Sequence, residues 1–449
     1  MKATKSLLTF LFLLIVTTNG FSQDWPQYMG PHRNSYSDDN DILRSWPEGG
    51  PEILWKVDVG IGYGGPVIKD GKVYLLDRDD KVGDKMRCFD LNTGEELWKY
   101  EYDAAGEVMF PGSRSVPVVD NDHVYSCGPY GDLYCIDLNT HKPVWKANVW
   151  TDFGGVPGNS GEGGRGPDGF PTWAISQCPL IYGDLLILAS QAPEAGVVAY
   201  DKNSGDLKWK TKNLGPTGYV SPNIVKIDGQ DHLVMVTASG GGRGQDPVPG
   251  NVVGMEPLTG KIIWQFNNWL CRIPIPMAVD AGNNKLLISG GYELGAMMIQ
   301  VEKQADGTYG TKELFRTEEF GDQTKTPILF KGYFYGEYGT NNKRDGLTCM
   351  DMDGEIMWKT KRDPDFNKGS MIIVDGLMLA TDGAKTLYLI EPDPAAFKPL
   401  AKAELLAEPE GGNEGSARFG TQNWAPLALS GGKLLIRDQK QMLCVKVGK

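Results

Sequence analysis

Apolar residues recur at every second position in short runs along most of the chain, and the runs stop at Gly, Asp or Asn. In Gly65-Pro-Val-Ile-Lys-Asp70-Gly71-Lys-Val-Tyr-Leu-Leu the alternation stands on both sides of Asp70-Gly71, the mark of a hairpin. A second hairpin follows and ends on a large aromatic. Five segments share it: Asp90-Leu-Asn-Thr-Gly-Glu-Glu-Leu-Trp98, Asp137-Leu-Asn-Thr-His-Lys-Pro-Val-Trp145, Asp201-Lys-Asn-Ser-Gly-Asp-Leu-Lys-Trp209, Glu256-Pro-Leu-Thr-Gly-Lys-Ile-Ile-Trp264 and Asp351-Met-Asp-Gly-Glu-Ile-Met-Trp358. The turn supplies a residue tolerant of positive φ, and the aromatic suits packing between neighbouring sheets. Four strands per repeat predicts a propeller blade.

Reading onward places blades at roughly 62–102, 112–150, 174–213, 218–268, 271–320, 324–361 and 368–406. Blades five and seven lack the Trp, and Phe315 and Leu405 stand as its expected substitutes. Residues 423–447 supply only three strands and no Trp. Pro51-Glu-Ile-Leu-Trp55-Lys-Val copies the outer-strand pattern, so it is expected to complete an eighth blade and close the ring, which removes the exposed sheet edge. The predicted fold is therefore all-β, an eight-bladed propeller of four-stranded antiparallel blades closed by the N-terminal strand, over residues 51–449.

Cys88, Cys135, Cys349 and Cys444 fall at one repeat position, where other blades carry Ala199 and Gly254. A small buried slot accounts for all six, so the chain's seven cysteines are read chiefly as packed thiols rather than bridges or metal ligands. Cys127, Cys178 and Cys271 are less determined.

At the start, Lys2 and Lys5 precede an apolar run from Leu7 to Val16, too short to span a bilayer and matching a signal peptide over residues 1–22. The mature chain would begin at Gln23 or Asp24, with residues 23–50 as an N-terminal extension. No Cys lies near that point, so no lipid anchor is expected, and the protein is expected to be exported. A net charge of −12 argues against binding a phosphate backbone, so no nucleic-acid partner is expected.

Strand direction puts the second-to-third loops and the blade-to-blade connections on one face, together with the long segments Asp79–Lys85, Thr151–Trp173, Gln191–Gly196, Gly240–Gly250, Thr340–Gly346 and Glu408–Gln422. Gly163-Gly-Arg165-Gly, Gly241-Gly-Arg243-Gly and Gly415-Ser-Ala-Arg418-Phe-Gly suit either anion binding or solvated loops. The starts of the innermost strands, expected to ring the channel, carry Tyr63, Arg114, Trp173 with Gln177, Tyr219, Arg272, Lys325, Lys368 and Trp424. Aromatic faces among basic groups would hold a flat or sugar-like anion, and equally would seal the channel wall. Glu293 and Glu337, expected on second-to-third loops, offer partners to the bases. The four histidines, His32, His123, His141 and His232, have no zinc-like spacing and form no evident triad. Carboxylates such as Asp152, Glu162, Asp168, Asp246 and Asp322 show no pairing that would specify a glycosidase.

From Trp25-Pro-Gln-Tyr-Met-Gly-Pro onward the chain resembles the pyrroloquinoline-quinone-like (PQQ-like) propeller repeat proteins, through the Asp-x-x-Thr-Gly-x-x-x-Trp hairpin and the eight-fold closure. The resemblance implies one of three roles: a propeller binding an anionic small molecule, oligosaccharide or peptide segment at the channel mouth, with a place in glycan breakdown; a PQQ- and calcium-dependent dehydrogenase of alcohols or sugars; or a protein-assembly scaffold. The family's dehydrogenases typically have a vicinal Cys-Cys pair on the quinone, which this chain lacks. No metal ligand can be assigned.

Overall fold

The computed structural model describes residues 24–157, 170–241, 246, 248–339, 343–407 and 423–449. The expected signal peptide, Gly163-Gly-Arg165, Arg243, Glu408–Gln422 with Arg418, and the carboxylates Glu162 and Asp168 lie outside the described residues.

Eight four-stranded antiparallel blades stand around one axis. Blade 1 runs Val67–Lys69, Lys72–Asp79, Gly83–Asp90 and Glu96–Asp103 from the axis outward, and the next six repeat that order. Blade 8 takes Ala428–Ser430, Lys433–Arg437 and Gln441–Lys446 from the C-terminus and Ile53–Asp58 from the N-terminus. Trp55 stands opposite Cys444 and Asp58 opposite Gln441, so the ring closes as the pattern predicts.

The same registers explain the cysteine positions. Cys88, Cys135, Cys349 and Cys444 each face the outer-strand Trp of their own blade, as do Ala199 and Gly254. The slot is small because the indole lies over it: a Cβ on Gly254 would come 2.0 Å from Trp264. All seven cysteines are buried and free.

Several of these aromatics also reach the following blade. Trp55 of blade 8 lies on Gly94 in the outer turn of blade 1, Trp145 on Gly205, Trp209 on Gly260 and Phe315 on Gly354, each so close that a Cβ would clash at 2.8 Å or less. These glycines are needed twice, for their φ of 70–92° and for their missing side chain. In blade 2, His141 holds that turn position and stacks flat on Trp98, ring centres 4.8 Å apart.

Phe315 does replace the Trp of blade 5, opposite Met298. Leu405 does not replace that of blade 7: Ala401 holds the position, opposite Leu389, and Leu405 lies beyond the outer strand. The cause is the ring closure. Blade 8 draws its two outer strands from opposite chain ends, so it has no outer turn for an aromatic of blade 7 to cover. Two expected long loops also prove short, because the strands continue to Asp79 and resume at Gly83, and continue to Ala192 and resume at Ala195.

The extension before Ile53 is a strap that visits every blade in ring order. Trp25 pairs through its backbone with Ile68, and the Pro26 carbonyl accepts from Val119 at 2.8 Å. Arg33 donates to the carbonyls of Pro179 and Pro222 and touches Met277. The Tyr36 hydroxyl donates to the Leu329 carbonyl, Tyr36–Ser37 adds a parallel strand to Ile373 and Val374, and Leu43 donates to Val447. Trp25, Tyr28 and Met29 thereby fill the axis at the end carrying the first-to-second turns. The channel becomes a cup, closed below and opening on the other face.

Candidate functional site

Six of the singled-out side chains gather in that cup. Tyr63 and Trp424 approach with ring centres 5.2 Å apart, and Phe110 packs edge-on to Tyr63 at 6.2 Å. The Arg114 guanidinium lies 5.9 Å from the Tyr63 ring centre, and Lys368 Nζ lies 4.9 Å from that of Trp424. Across from them Trp173 and Tyr219 meet at 5.6 Å, the Trp173 amide donating to the Tyr219 hydroxyl. Arg114 is close enough to both tyrosines that its charge acts on each.

These cations are desolvated. Arg114 is held by the carbonyls of Gly112 and Met109, forms no ion pair among the described residues, and is pushed down to about 10 by burial. Burial and then the charge of Arg344 bring Lys368 down to about 8. The tyrosine hydroxyls of the cup go the other way, Tyr63 and Tyr219 both rising to about 12 through desolvation.

Beside the cup lies a buried carboxyl pair. Asp322 accepts from the amides of Thr324 and Lys325 on one oxygen and from Glu337 on the other. Glu337 Oε2 accepts from the Gly369 amide at 2.6 Å, while its Oε1 is buried with no partner among the described residues. Desolvation raises Asp322 to about 6; it raises Glu337 well above the carboxylate range, with the nearby Asp322 adding to the effect. Lys325 falls to about 8 for the same reason. Glu337 is thus inside a strand, where a loop position was expected, and Glu293 sits exposed in a turn with φ of 65°.

Two expected members stand apart. Gln177 spends its side chain on the Gly218 carbonyl and the Ser176 amide, at the junction of blades 3 and 4. Arg272 is exposed, and no hydrogen bond or ion pair holds it among the described residues. Sequence reasoning missed Phe110, although Val108-Met-Phe-Pro-Gly112 is an apolar run inside a blade-to-blade connection. A wider cleft of about 1100 Å³ lies off the axis above blade 1. Its charges are largely matched with one another, Arg78 with Asp80 and Asp84, Arg87 with Asp77 and Glu96.

A family profile described as outer membrane protein assembly factor BamB matches residues 82–268. Over that stretch the chain is similar to the PQQ-like propeller repeat proteins. It is 28% identical over 173 residues to a quinoprotein ethanol dehydrogenase of Pseudomonas aeruginosa, covering 37% of the chain and 24% of that protein. It is 24% identical over 188 residues to the outer membrane protein assembly factor BamB of Burkholderia pseudomallei, covering 38% and 45%. The match thus spans less than half the length of either relative. Among solved structures, BamB from Moraxella catarrhalis superposes with a TM-score of 0.54 at 12% identity, covering 88% of this chain and 96% of that one. A europium-containing methanol dehydrogenase gives 0.57 at 14%, covering 94% and 89%. At such identities the structures share the fold and nothing finer.

The dehydrogenases among these relatives raise the question whether a quinone and its metal fit this propeller. Aromatic faces beside Arg114 and Lys368 suit a planar anion. A hard cation needs several free oxygen ligands, whereas the carboxyls beside the cup accept backbone amides and are held toward the protonated form. No group of three or more His, Cys, Asp or Glu among the described residues is placed to hold a metal. Among the described residues, no carboxyl set offers calcium the oxygen ligands it needs.

Proposed function

We propose that this propeller is a binding protein whose cup takes a flat or sugar-like organic anion, an oligosaccharide bearing carboxylate groups included, and that it works outside the cytoplasm after export. The observation that carries this reading is Arg114, seated beside Tyr63 and held, among the described residues, by backbone carbonyls with no ion pair. A half-buried guanidinium held by backbone carbonyls, with no carboxylate bound to it among the described residues, is an arrangement that an incoming carboxylate relieves. The adjoining, mutually tilted rings of Tyr63 and Trp424 give the body of the ligand an apolar face. The Lys2, Lys5 and Leu7–Val16 pattern supports export.

Calorimetry with uronate-bearing oligosaccharides, and separately with PQQ with and without calcium, tests this. Binding should weaken with added salt, and Arg114→Ala should lose about 2–5 kcal/mol. Arg272→Ala, an exposed position with no contact to the cup's rings or cations among the described residues, should bind as the wild type does. Calcium-dependent uptake of PQQ with dye reduction would favour the dehydrogenase role instead, and equal binding by Arg114→Ala would remove the cup from consideration.

A further inference from the structure

Trp424 and Tyr63, leading into blades 8 and 1, make one aromatic wall of the cup. Trp173 and Tyr219, leading into blades 3 and 4, make another, three blades away around the ring of eight. Arg114 leads into blade 2, between the two, and its charge acts on the tyrosines of both. The second wall continues to Tyr292 in the second-to-third turn of blade 5, close enough to Tyr219 for the two hydroxyls to interact electrostatically. That turn is closed by the Leu294 amide on the Gly291 carbonyl at 3.1 Å, and both central residues have positive φ, 57° at Tyr292 and 65° at Glu293. Asn-Gly fills such a turn at least cost, whereas a bulky aromatic is strained there. Gln323 lies beside the Tyr292 hydroxyl, yet the residue stays 45% exposed, so the ring is set in place without being packed away. Phe110, at the edge of the opposite wall, has a φ of 61°, and the half-buried Trp173 is followed by Ala174 at 58°. Each wall thus presents a ring through left-handed backbone, and strain of this kind collects at binding sites.

We propose that Trp173, Tyr219 and Tyr292 form a second ring-binding wall, and that the cup selects a linear uronate oligosaccharide of two or more linked rings over a single ring. This deepens the anion-binding reading and rests on it. One sugar ring lies on Tyr63 and Trp424, another ring of the same chain reaches Trp173 and Tyr219, and a carboxylate of the chain meets Arg114 between them. A sugar ring has an apolar face of C–H groups rimmed by hydroxyls, and Tyr and Trp, apolar in body with a polar tip, suit both. A linked ring adds its contacts without a second loss of translational and rotational freedom, so each ring that finds an aromatic face adds affinity. Tyr292, exposed at the outer end of its wall, takes the ring nearest the solvent. Arg114 fixes the carboxylate, and Trp173 with Tyr292 sets the chain length.

Calorimetric titration of galacturonate and its linear di-, tri- and tetrasaccharides into the whole protein tests this. Affinity should rise by about tenfold or more from the single ring to the tetrasaccharide. Trp173→Ala should remove most of that gain while galacturonate itself binds within about twofold of wild type. Tyr292→Asn separates binding from packing: Asn suits the turn, so the melting temperature should match or exceed that of wild type, while the tetrasaccharide binds about threefold or more weakly. Neutral maltotetraose should bind far more weakly than the charged chain. Equal affinity for one ring and four, or a length gain that survives in both variants, overturns the second wall. If galacturonate or PQQ still binds in that case and Arg114→Ala loses it, the cup reading stands; if neither the series nor PQQ binds, the two readings fall together.

Discussion

Replacing Trp55 by Ala attacks the one blade whose strands come from opposite ends of the chain. The indole is 7% exposed, donates to the Leu91 carbonyl at 2.8 Å and covers Gly94 of blade 1. Truncating a buried Trp costs about 3–5 kcal/mol, which includes leaving the Leu91 carbonyl unsatisfied. A folded chain of about 425 residues has an unfolding entropy near 0.9 kcal/mol/K, so the melting temperature should fall by about 3–6 °C. Trp98→Ala is the control. Trp98 makes the same kind of contact, on His141, but its strand is joined to its blade by a turn. Hydrogen exchange separates the two variants: amides of Gln441–Lys446, which face Ile53–Asp58, should lose protection in Trp55→Ala and keep it in Trp98→Ala. A melting temperature within about 1 °C of wild type, with those amides still protected, would refute closure by this strand.

Other outcomes follow from the same packing. Gly254→Ala should destabilise by about 1–3 kcal/mol in chemical denaturation, because its Cβ meets Trp264 at 2.0 Å, whereas Ala199→Gly in the matching slot of blade 3 should cost about 1 kcal/mol or less. Thiol titration of the unreduced, denatured protein should count all seven cysteines, and the folded protein should react far more slowly, with Cys88, Cys135, Cys349 and Cys444 each raised to about 12 by burial. Lys368 titrates near 8 when folded and near 10.4 when unfolded, so the unfolded chain binds the extra proton between those values. Wild-type stability should therefore rise relative to Lys368→Met from pH 8 to about pH 10.4, and parallel curves in denaturant melts would contradict its burial.

The repeat was legible because each blade spells out its own turns and its own aromatic, and the small slot opposite that aromatic reveals itself as Cys, Ala or Gly. Leu405 was misplaced because the aromatic of blade 7 answers to a turn in the next blade, and blade 8 alone lacks that turn. Pairwise features inside one hairpin can be read locally, whereas contacts between blades cannot. The cup follows the same rule. Tyr63, Arg114, Trp173, Tyr219, Lys368 and Trp424 announce themselves at equivalent repeat positions, but Arg272 holds such a position and stands exposed with no partner among the described residues, and Gln177 turns into a blade junction. Glu337 looked like a loop residue because two strands are longer than their turn signals indicate. The path of residues 24–46 has no repeat to declare it, since every contact it makes is with a different blade.

That path alters how the molecule should come apart. In a ring of repeats each unit touches only its two neighbours, so stability is a sum of local terms and a weak blade can open while the rest stays folded. A single segment bound to all eight blades adds connections between units that are never adjacent. Opening any one blade then loosens a tie shared by the other seven, and the array melts as a unit instead of fraying blade by blade.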